Sequence, residues 1–323
     1  MKTRFHLLSF FAVAGFAIVT FFAPSSAVAD SLLVAGISGD VVLEYDRSSG
    51  ALTGTFASSG LMDGPTAMVY GTDGKLYVLC EFSNNVLRFN GTTGAFIDEF
   101  ISSSTMFAAG LSDPSDMEIG ADGNLYISSH ASTPSTAIWK FTFSGTSGSL
   151  ASFATFGAGS HTHGLAFGLD GNLYLGDLVA GAIRKFNGTT GADMGVFTSG
   201  TALTLTGDFA FAPDGSLYVA CDGGTGVQHF TSGGGPMPPL ISAGAFQSYW
   251  GILFDGGSMF LGNKATGTVK KYTDTGVFVS DLISSAPGPF DILPKAVPEP
   301  SPALLAILAG IPVLLARRFR ALS

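Results

Sequence analysis

Between residues 30 and 294 the apolar positions fall in short runs that alternate with polar ones, and glycine-bearing turns interrupt the runs at near-regular intervals. Alternation with period two marks strands that cover one face. One phrase, Asp-Gly-x-Leu-Tyr-apolar, recurs at 73–78, 122–127, 170–175 and 214–219, with a worn copy at 255–261. Its aspartates, Asp73, Asp122, Asp170, Asp214 and Asp255, are spaced 49, 48, 44 and 41 residues apart. A period in the forties, built of strands and turns, predicts the blades of a β-propeller.

Each copy predicts the same four strands. An alternating strand precedes the phrase, as in Met117-Glu118-Ile119 and Leu165-Ala166-Phe167. Asp-Gly suits a tight hairpin, and Leu-Tyr-apolar forms the second strand. A third strand ends on a basic residue and an aromatic: Arg88-Phe89, Lys140-Phe141, Lys185-Phe186 and Lys271-Tyr272, degraded to His229-Phe230 in one copy. A turn then leads to the fourth, as from Gly94 to Phe100. The heptapeptide Phe-Asn-Gly-Thr-Thr-Gly-Ala stands identically at 89–95 and 186–192, a sign of internal duplication. A hairpin turn explains Asn90 and Asn187 better than glycosylation does.

Five full copies occupy about 65–282. Residues 32–56 supply three more strands that lack a first one, and Pro289-Phe290-Asp291-Ile292-Leu293 matches the first strand Pro114-Ser115-Asp116-Met117-Glu118. The C-terminal segment is therefore expected to complete the N-terminal blade, which closes the ring and leaves no open sheet edge. The predicted fold is all-β, a six-bladed propeller of four-stranded antiparallel blades over 30–294, with helix only in the two terminal segments. The repeat resembles the NHL and gluconolactonase-like six-bladed propellers, a likeness of fold that hosts lyases, lactonases and binding modules alike.

Both ends read as targeting segments. Lys2 and Arg4, an apolar run from Leu7 to Phe22 and Ala27-Val28-Ala29 have the order of a cleavable signal peptide over 1–29, with Asp30 as the mature start. The segment 295–323 holds Val297-Pro298-Glu299-Pro300, an apolar stretch over 303–316 and then Arg317, Arg318 and Arg320. That stretch is short against the roughly 20 residues a bilayer core asks for, though flanking arginines lengthen a span by snorkelling. The three parts resemble the PEP-CTERM sorting tail of Gram-negative bacteria. The resemblance implies transient anchoring in the inner membrane, recognition by an exosortase-type processing enzyme, release to the cell surface or extracellular matrix, and a setting rich in exopolysaccharide.

Charge narrows the partners. Between the signal and the terminal arginines lie ten Lys and Arg against 24 Asp and Glu, a net charge of about −14. Such a surface repels phosphate backbones and excludes nucleic acid as a partner. The two cysteines, Cys80 and Cys221, hold equivalent places in blades on opposite sides of the ring, too far apart for a disulfide, so free thiols are expected.

Register picks out the candidate chemistry. In a propeller the connections into each first strand and out of each second strand share one face. The first-strand column reads Ala67, Asp116, Gly164, Asp208, Gly251, Asp291, which sets Asp116, Asp208 and Asp291 on alternate blades. Converging carboxylates suit a hard cation, and Ca²⁺ is the expected ion; the competing account is that each aspartate caps its own turn. The column leaving the second strands holds Cys80, Ser129, Asp177, Cys221 and Asn263, with Glu81, His130 and Asp222 beside it. His161 and His163 precede the first strand of one blade, and Tyr249 and Trp250 open another. Flat rings beside carboxylates and amides suit a sugar surface. Candidate ligand-binding residues are thus His130, His161, His163, Asp177, Asp222, Tyr249 and Trp250.

Histidine at such an opening position resembles the zinc-binding positions of amidating lyases that share the fold, but the matching positions here are Thr66, Ser115, Gly207, Trp250 and Phe290. The gluconolactonase likeness implies Glu, Asn and Asp ligands, and the first-strand column carries no Glu or Asn. No nucleophile–base pair or phosphate loop stands out. The sequence therefore favours a non-enzymatic binding or scaffolding module for exopolysaccharide or another envelope protein. The alternative is a metal-dependent lactonase- or lyase-type enzyme.

Overall fold

The computed structural model describes residues 30–296 apart from 131–135, 145–146, 156–160, 201–202, 204–205 and 243–247. The expected signal peptide and sorting tail lie outside the described residues. Within them no helix is long and apolar enough to cross a membrane. The chain forms six four-stranded antiparallel sheets, the blades of one propeller. Their inner strands are Pro289–Pro294, Pro65–Tyr70, Pro114–Ile119, Thr162–Phe167, Thr206–Phe211 and Tyr249–Asp255, in blades 1 to 6.

The repeated phrase has a physical meaning on the hairpin face. Asp122 sits in the turn and accepts the Asn124 N–H at 3.1 Å and the Tyr126 hydroxyl at 3.0 Å. Lys140, paired with Tyr126 across the next two strands, reaches the same carboxylate at 2.7 Å. Asp170, Tyr174 and Lys185 repeat the arrangement. The tyrosine ring then meets an aromatic at the end of the following inner strand edge-on, Tyr126 with Phe167 at 5.0 Å and Tyr174 with Phe211 at 4.8 Å. The motif is thus both the hairpin within a blade and the seam between blades. In blade 5, where His229 replaces lysine, the imidazole stacks on Tyr218 at 4.2 Å. Asn90 and Asn187 accept two N–H groups each from their own turns.

The ring closes as the sequence indicates. Pro289–Pro294 pairs antiparallel with Ser31–Gly36, with Val34 opposite Ile292, so the first blade combines both ends of the chain. Helix is not confined to the ends, however. Ser103–Ala108 forms one turn and a half between blades 2 and 3. Ser102 caps it by accepting the Thr105 N–H at 3.3 Å, and Met106 and Leu111 insert into the core between the two blades. Only that tertiary burial explains a helix in a serine-rich run with no apolar period of its own.

Cys80 and Cys221 are buried free thiols, and burial pushes them up to about 12 and about 11. Both are expected to resist a thiol reagent in the native protein and to react fully in denaturant. Removing residues 289–296 takes out the inner strand of blade 1, including buried Phe290 and Ile292, worth about 1.5–3 kcal/mol each. The shortened chain is expected to lose cooperative thermal unfolding by circular dichroism.

Candidate functional site

All six inner strands open with a bulge in their pairing to the second strand. A bulge re-aims the side chain it displaces. Thr66, Ser115, His163, Gly207, Trp250 and Phe290 stand there, and the three large ones come together. His163 meets Trp250 edge-on at 4.7 Å and Phe290 at 5.6 Å, and Trp250 lies 4.7 Å from Phe290. These rings come from blades 4, 6 and 1, so they meet across the mouth of the channel.

A second ring of side chains surrounds them. In five blades the residue after the second strand donates its N–H to the residue before the inner strand: Ile37 to Gly288, Glu81 to Gly64, His130 to Asp113, Leu178 to His161 and Lys264 to Ser248, at 2.8–3.2 Å. This repeated bond places Glu81, His130 and Lys264 at one level of the rim. His130 stacks on His163 with ring centroids 5.3 Å apart, and its Nδ1 lies 3.6 Å from Glu81 Oε1. Lys264 Nζ sits 4.8 Å from the Trp250 ring centre and 4.7 Å from that of Phe290. A continuous path therefore runs from carboxylate through two imidazoles and two aromatic rings to an ammonium.

Among the described residues neither ring nitrogen of the buried His163 meets full hydrogen-bond geometry, with the Gly207 backbone as its polar neighbour, and the buried His130 Nε2 has no partner. Burial, and then the facing His130, hold His163 well below the usual histidine range, so it is a neutral imidazole. Buried polar atoms without partners are rare and mark places where a ligand or catalysis accounts for them.

The other candidates take different places. Tyr249 is buried and bonds the Tyr272 hydroxyl at 3.2 Å. Asp177 caps its own turn through the Val179 and Ala180 N–H groups. Asp222, at the rim position of blade 5, accepts the Gly223 N–H. His161 is exposed, its carbonyl accepting from Leu178. Sequence reasoning missed Lys264 and the pairing of Glu81 with His130. The register that placed Glu81, His130 and Asp222 one residue past the second strands was the signal for Lys264 as well.

Below the mouth, Asp116, Asp208 and Asp291 each bridge two blades. Asp116 accepts its neighbour Met117 N–H at 2.7 Å and the Leu165 N–H of the next blade at 2.6 Å. Asp208 does the same with Phe209 and Ile252, and Asp291 with Ile292 and Met68. At the seam from blade 5 to blade 6 a glycine permits this approach, since a Cβ on Gly207 would meet Tyr249 O at 2.4 Å. Glycines serve the intervening seams in the same way, a Cβ on Gly251 meeting Phe290 O of blade 1 at 2.7 Å and one on Gly164, whose φ is +74°, meeting Gly207 O of blade 5 at 2.8 Å. Among the described residues no three His, Cys, Asp or Glu side chains are placed to share a metal ion. The chemistry below uses side chains alone. The carboxylates touch channel solvent but are enclosed by protein on all sides. Burial, then the charge of Asp291, raises Asp116 well above the carboxylate range. Burial, then Asp116 and Asp291, does the same for Asp208. Burial brings Asp291 to about 6, and burial with Asp208 and Asp291 brings Glu118 to about 8.

No family model matches the sequence, and no curated protein matches it. Solved structures share the fold. A virginiamycin B lyase from Staphylococcus aureus superposes with a TM-score of 0.54 at 17% identity, covering 72% of this chain and 76% of that one. A provisionally assigned 6-phosphogluconolactonase from Bacteroides fragilis gives 0.58 at 14%, covering 84% and 99%. Nidogen, from its complex with laminin, gives 0.62 at 13%, covering 82% and 99%. The protein is a six-bladed propeller related in fold to the gluconolactonase- and NHL-like group. The expectation of a non-enzymatic scaffold is corrected here: two of these structures of like fold, both bacterial, are a lyase and a lactonase by name.

Carboxyl groups raised in the folded state bind protons that the unfolded chain has already released. Their stabilisation is complete below about pH 4 and is lost as pH rises through their folded values, about 6 for Asp291 and about 8 for Glu118. The melting temperature is expected to fall between pH 5 and pH 8.5. Glu118→Gln is expected to flatten the upper part of that slope and to raise the melting temperature by a few degrees at pH 8.5. If Ca²⁺ occupies the channel, calcium restores the wild-type melting temperature at pH 8.5 and a chelator lowers it.

Proposed function

We propose that this propeller is an enzyme of the lactonase or lyase type, which breaks a C–O bond on the channel-mouth face by proton transfer to His130. One observation carries the reading: a carboxylate–imidazole pair, Glu81 and His130, whose Nε2 has no partner among the described residues and which stacks on the neutral His163. Glu81 stands on the Nδ1 side, which favours a proton there and leaves Nε2 as the base. The 3.6 Å gap is of the kind that tightens when substrate binds. His163, kept neutral, offers a hydrogen bond to substrate oxygen without the cost of a buried charge. The enzymes of like fold named above support the reaction class.

The same reading places the enzyme outside the cell. The order of basic, apolar and small residues over 1–29 supports export, and Val297-Pro298-Glu299-Pro300 with the apolar and arginine segments supports sorting by an exosortase-type enzyme to the surface of a Gram-negative cell. Exopolysaccharide or another envelope component is then the molecule it meets.

A general base contributes about 10²–10⁴-fold. His130→Gln is expected to lower kcat by at least about 100-fold on whichever lactone, ester or glycan is turned over, with an unchanged melting temperature. Glu81→Gln is expected to lower kcat by a smaller factor than His130→Gln does. Turnover that survives His130→Gln would remove the assignment. Mass spectrometry of the surface form is expected to find a start at Asp30 and no Arg317, Arg318 or Arg320.

A further inference from the structure

Lys264 breaks a pattern that holds almost everywhere else in the fold. Ten Lys and Arg lie between residues 30 and 296. Eight of them pair with a carboxylate: Arg47, Lys75, Arg88, Lys140, Arg184, Lys185, Lys270 and Lys295. Among the described residues only Lys264 and Lys271 have no such partner, and Lys271 lies over the Phe260 ring instead. In a chain with so large an excess of carboxylates, a cation left without one is unusual. Lys264 is exposed, stands at the rim position, and rests on Trp250 and Phe290. Those rings touch His163, which in turn faces the base, His130.

We infer that the site takes an acidic sugar, a uronate unit within a polysaccharide, and cleaves it by β-elimination. The inference rests on the base assigned above and names its substrate. Lys264 pairs with the sugar carboxylate, and the half-buried Trp250 face takes the apolar side of the ring. An ammonium beside that carboxylate withdraws charge from it, which acidifies the hydrogen on the adjoining carbon. His130 Nε2 removes that hydrogen as a proton. The electrons of the C–H bond form a carbon–carbon double bond, and the C–O bond one carbon further on breaks. The oxygen leaves with that bond's electron pair and takes a proton from water. One end of the cut chain becomes a free hydroxyl, the other an unsaturated uronate, and no oxidant or second substrate enters. Neither a nucleophile nor a metal is called upon. A neutral lactone or ester would leave Lys264 without a partner.

The full-length protein is incubated with polygalacturonate, alginate, a fully methyl-esterified pectin, a neutral β-glucan and a simple aliphatic lactone. Ultraviolet absorbance follows the new double bond, and mass spectrometry distinguishes elimination from hydrolysis. One of the two free-acid polymers is expected to yield unsaturated oligosaccharides at least ten times faster than the esterified pectin. Lys264→Met is expected to raise KM and to lower kcat, each by about tenfold or more, and Lys264→Arg to restore much of both losses. Oligouronates are also expected to change the fluorescence of Trp250 in wild type, but not in Lys264→Met. Preference for the methyl ester, or turnover of the lactone alone with Lys264→Met behaving as wild type, would overturn the uronate assignment and leave His130 as the base. Absence of both turnover and fluorescence change with every uronate overturns it as well. Activity on any substrate that persists in His130→Gln overturns the two readings together.

Discussion

The propeller depends on the seams between its inner strands, where six edges meet around a narrow channel. Three of those seams are closed by one device, a carboxylate that accepts an N–H from its own strand and another from the next blade. Asp116, Asp208 and Asp291 span blades 3 and 4, 5 and 6, and 1 and 2. At the intervening seams, from blade 4 to 5 and from blade 6 to 1, Gly164 and Gly251 lie so close to the next backbone that no side chain fits. The carboxylate device recurs at every second seam, a threefold pattern inside a sixfold fold.

That device brings like charges together. Burial first, and then, at Asp116, Asp208 and Glu118, the neighbouring carboxylates raise these groups toward the neutral form, so the centre of an otherwise acidic protein holds protons at a pH where its surface does not. On the hairpin face the opposite holds. Asp122 and Asp170, each bonded to a lysine, a tyrosine and a turn N–H, are held well below the carboxylate range. One residue type therefore serves two ends: paired with lysine it fixes the hairpin within a blade, and unpaired at the axis it ties neighbouring blades at an electrostatic cost.

The channel mouth follows from the same architecture. Bulges at the start of each inner strand turn His163, Trp250 and Phe290 toward the axis, and the repeated bond from each second strand sets Glu81, His130 and Lys264 around them. The backbone is nearly sixfold, so the side chains alone make this end chemically distinct. Degeneration of the repeat at these positions is where function is written, while the hairpin face keeps the repeat for stability.

The sequence by itself determined the blades, their number and the closure of the ring. Those features come from local signals, strand alternation and Asp-Gly hairpins, repeated often enough that a missing first strand in one blade and a spare one near the C-terminus could be matched. It also marked His130, His163 and Trp250 one by one, because each departs from its repeat. What it could not supply was their meeting. Blades 2, 3, 4, 6 and 1 contribute Glu81, His130, His163, Trp250 with Lys264, and Phe290, from positions up to 209 residues apart. No local pattern records such a contact, since it arises only when the ring closes. The short helix Ser103–Ala108 escaped for the same reason, its stability resting on Met106 and Leu111 buried between two blades. Tertiary structure also decided what the aspartates do: register placed them on alternate blades, but only the approach of the next inner strand made them clamps.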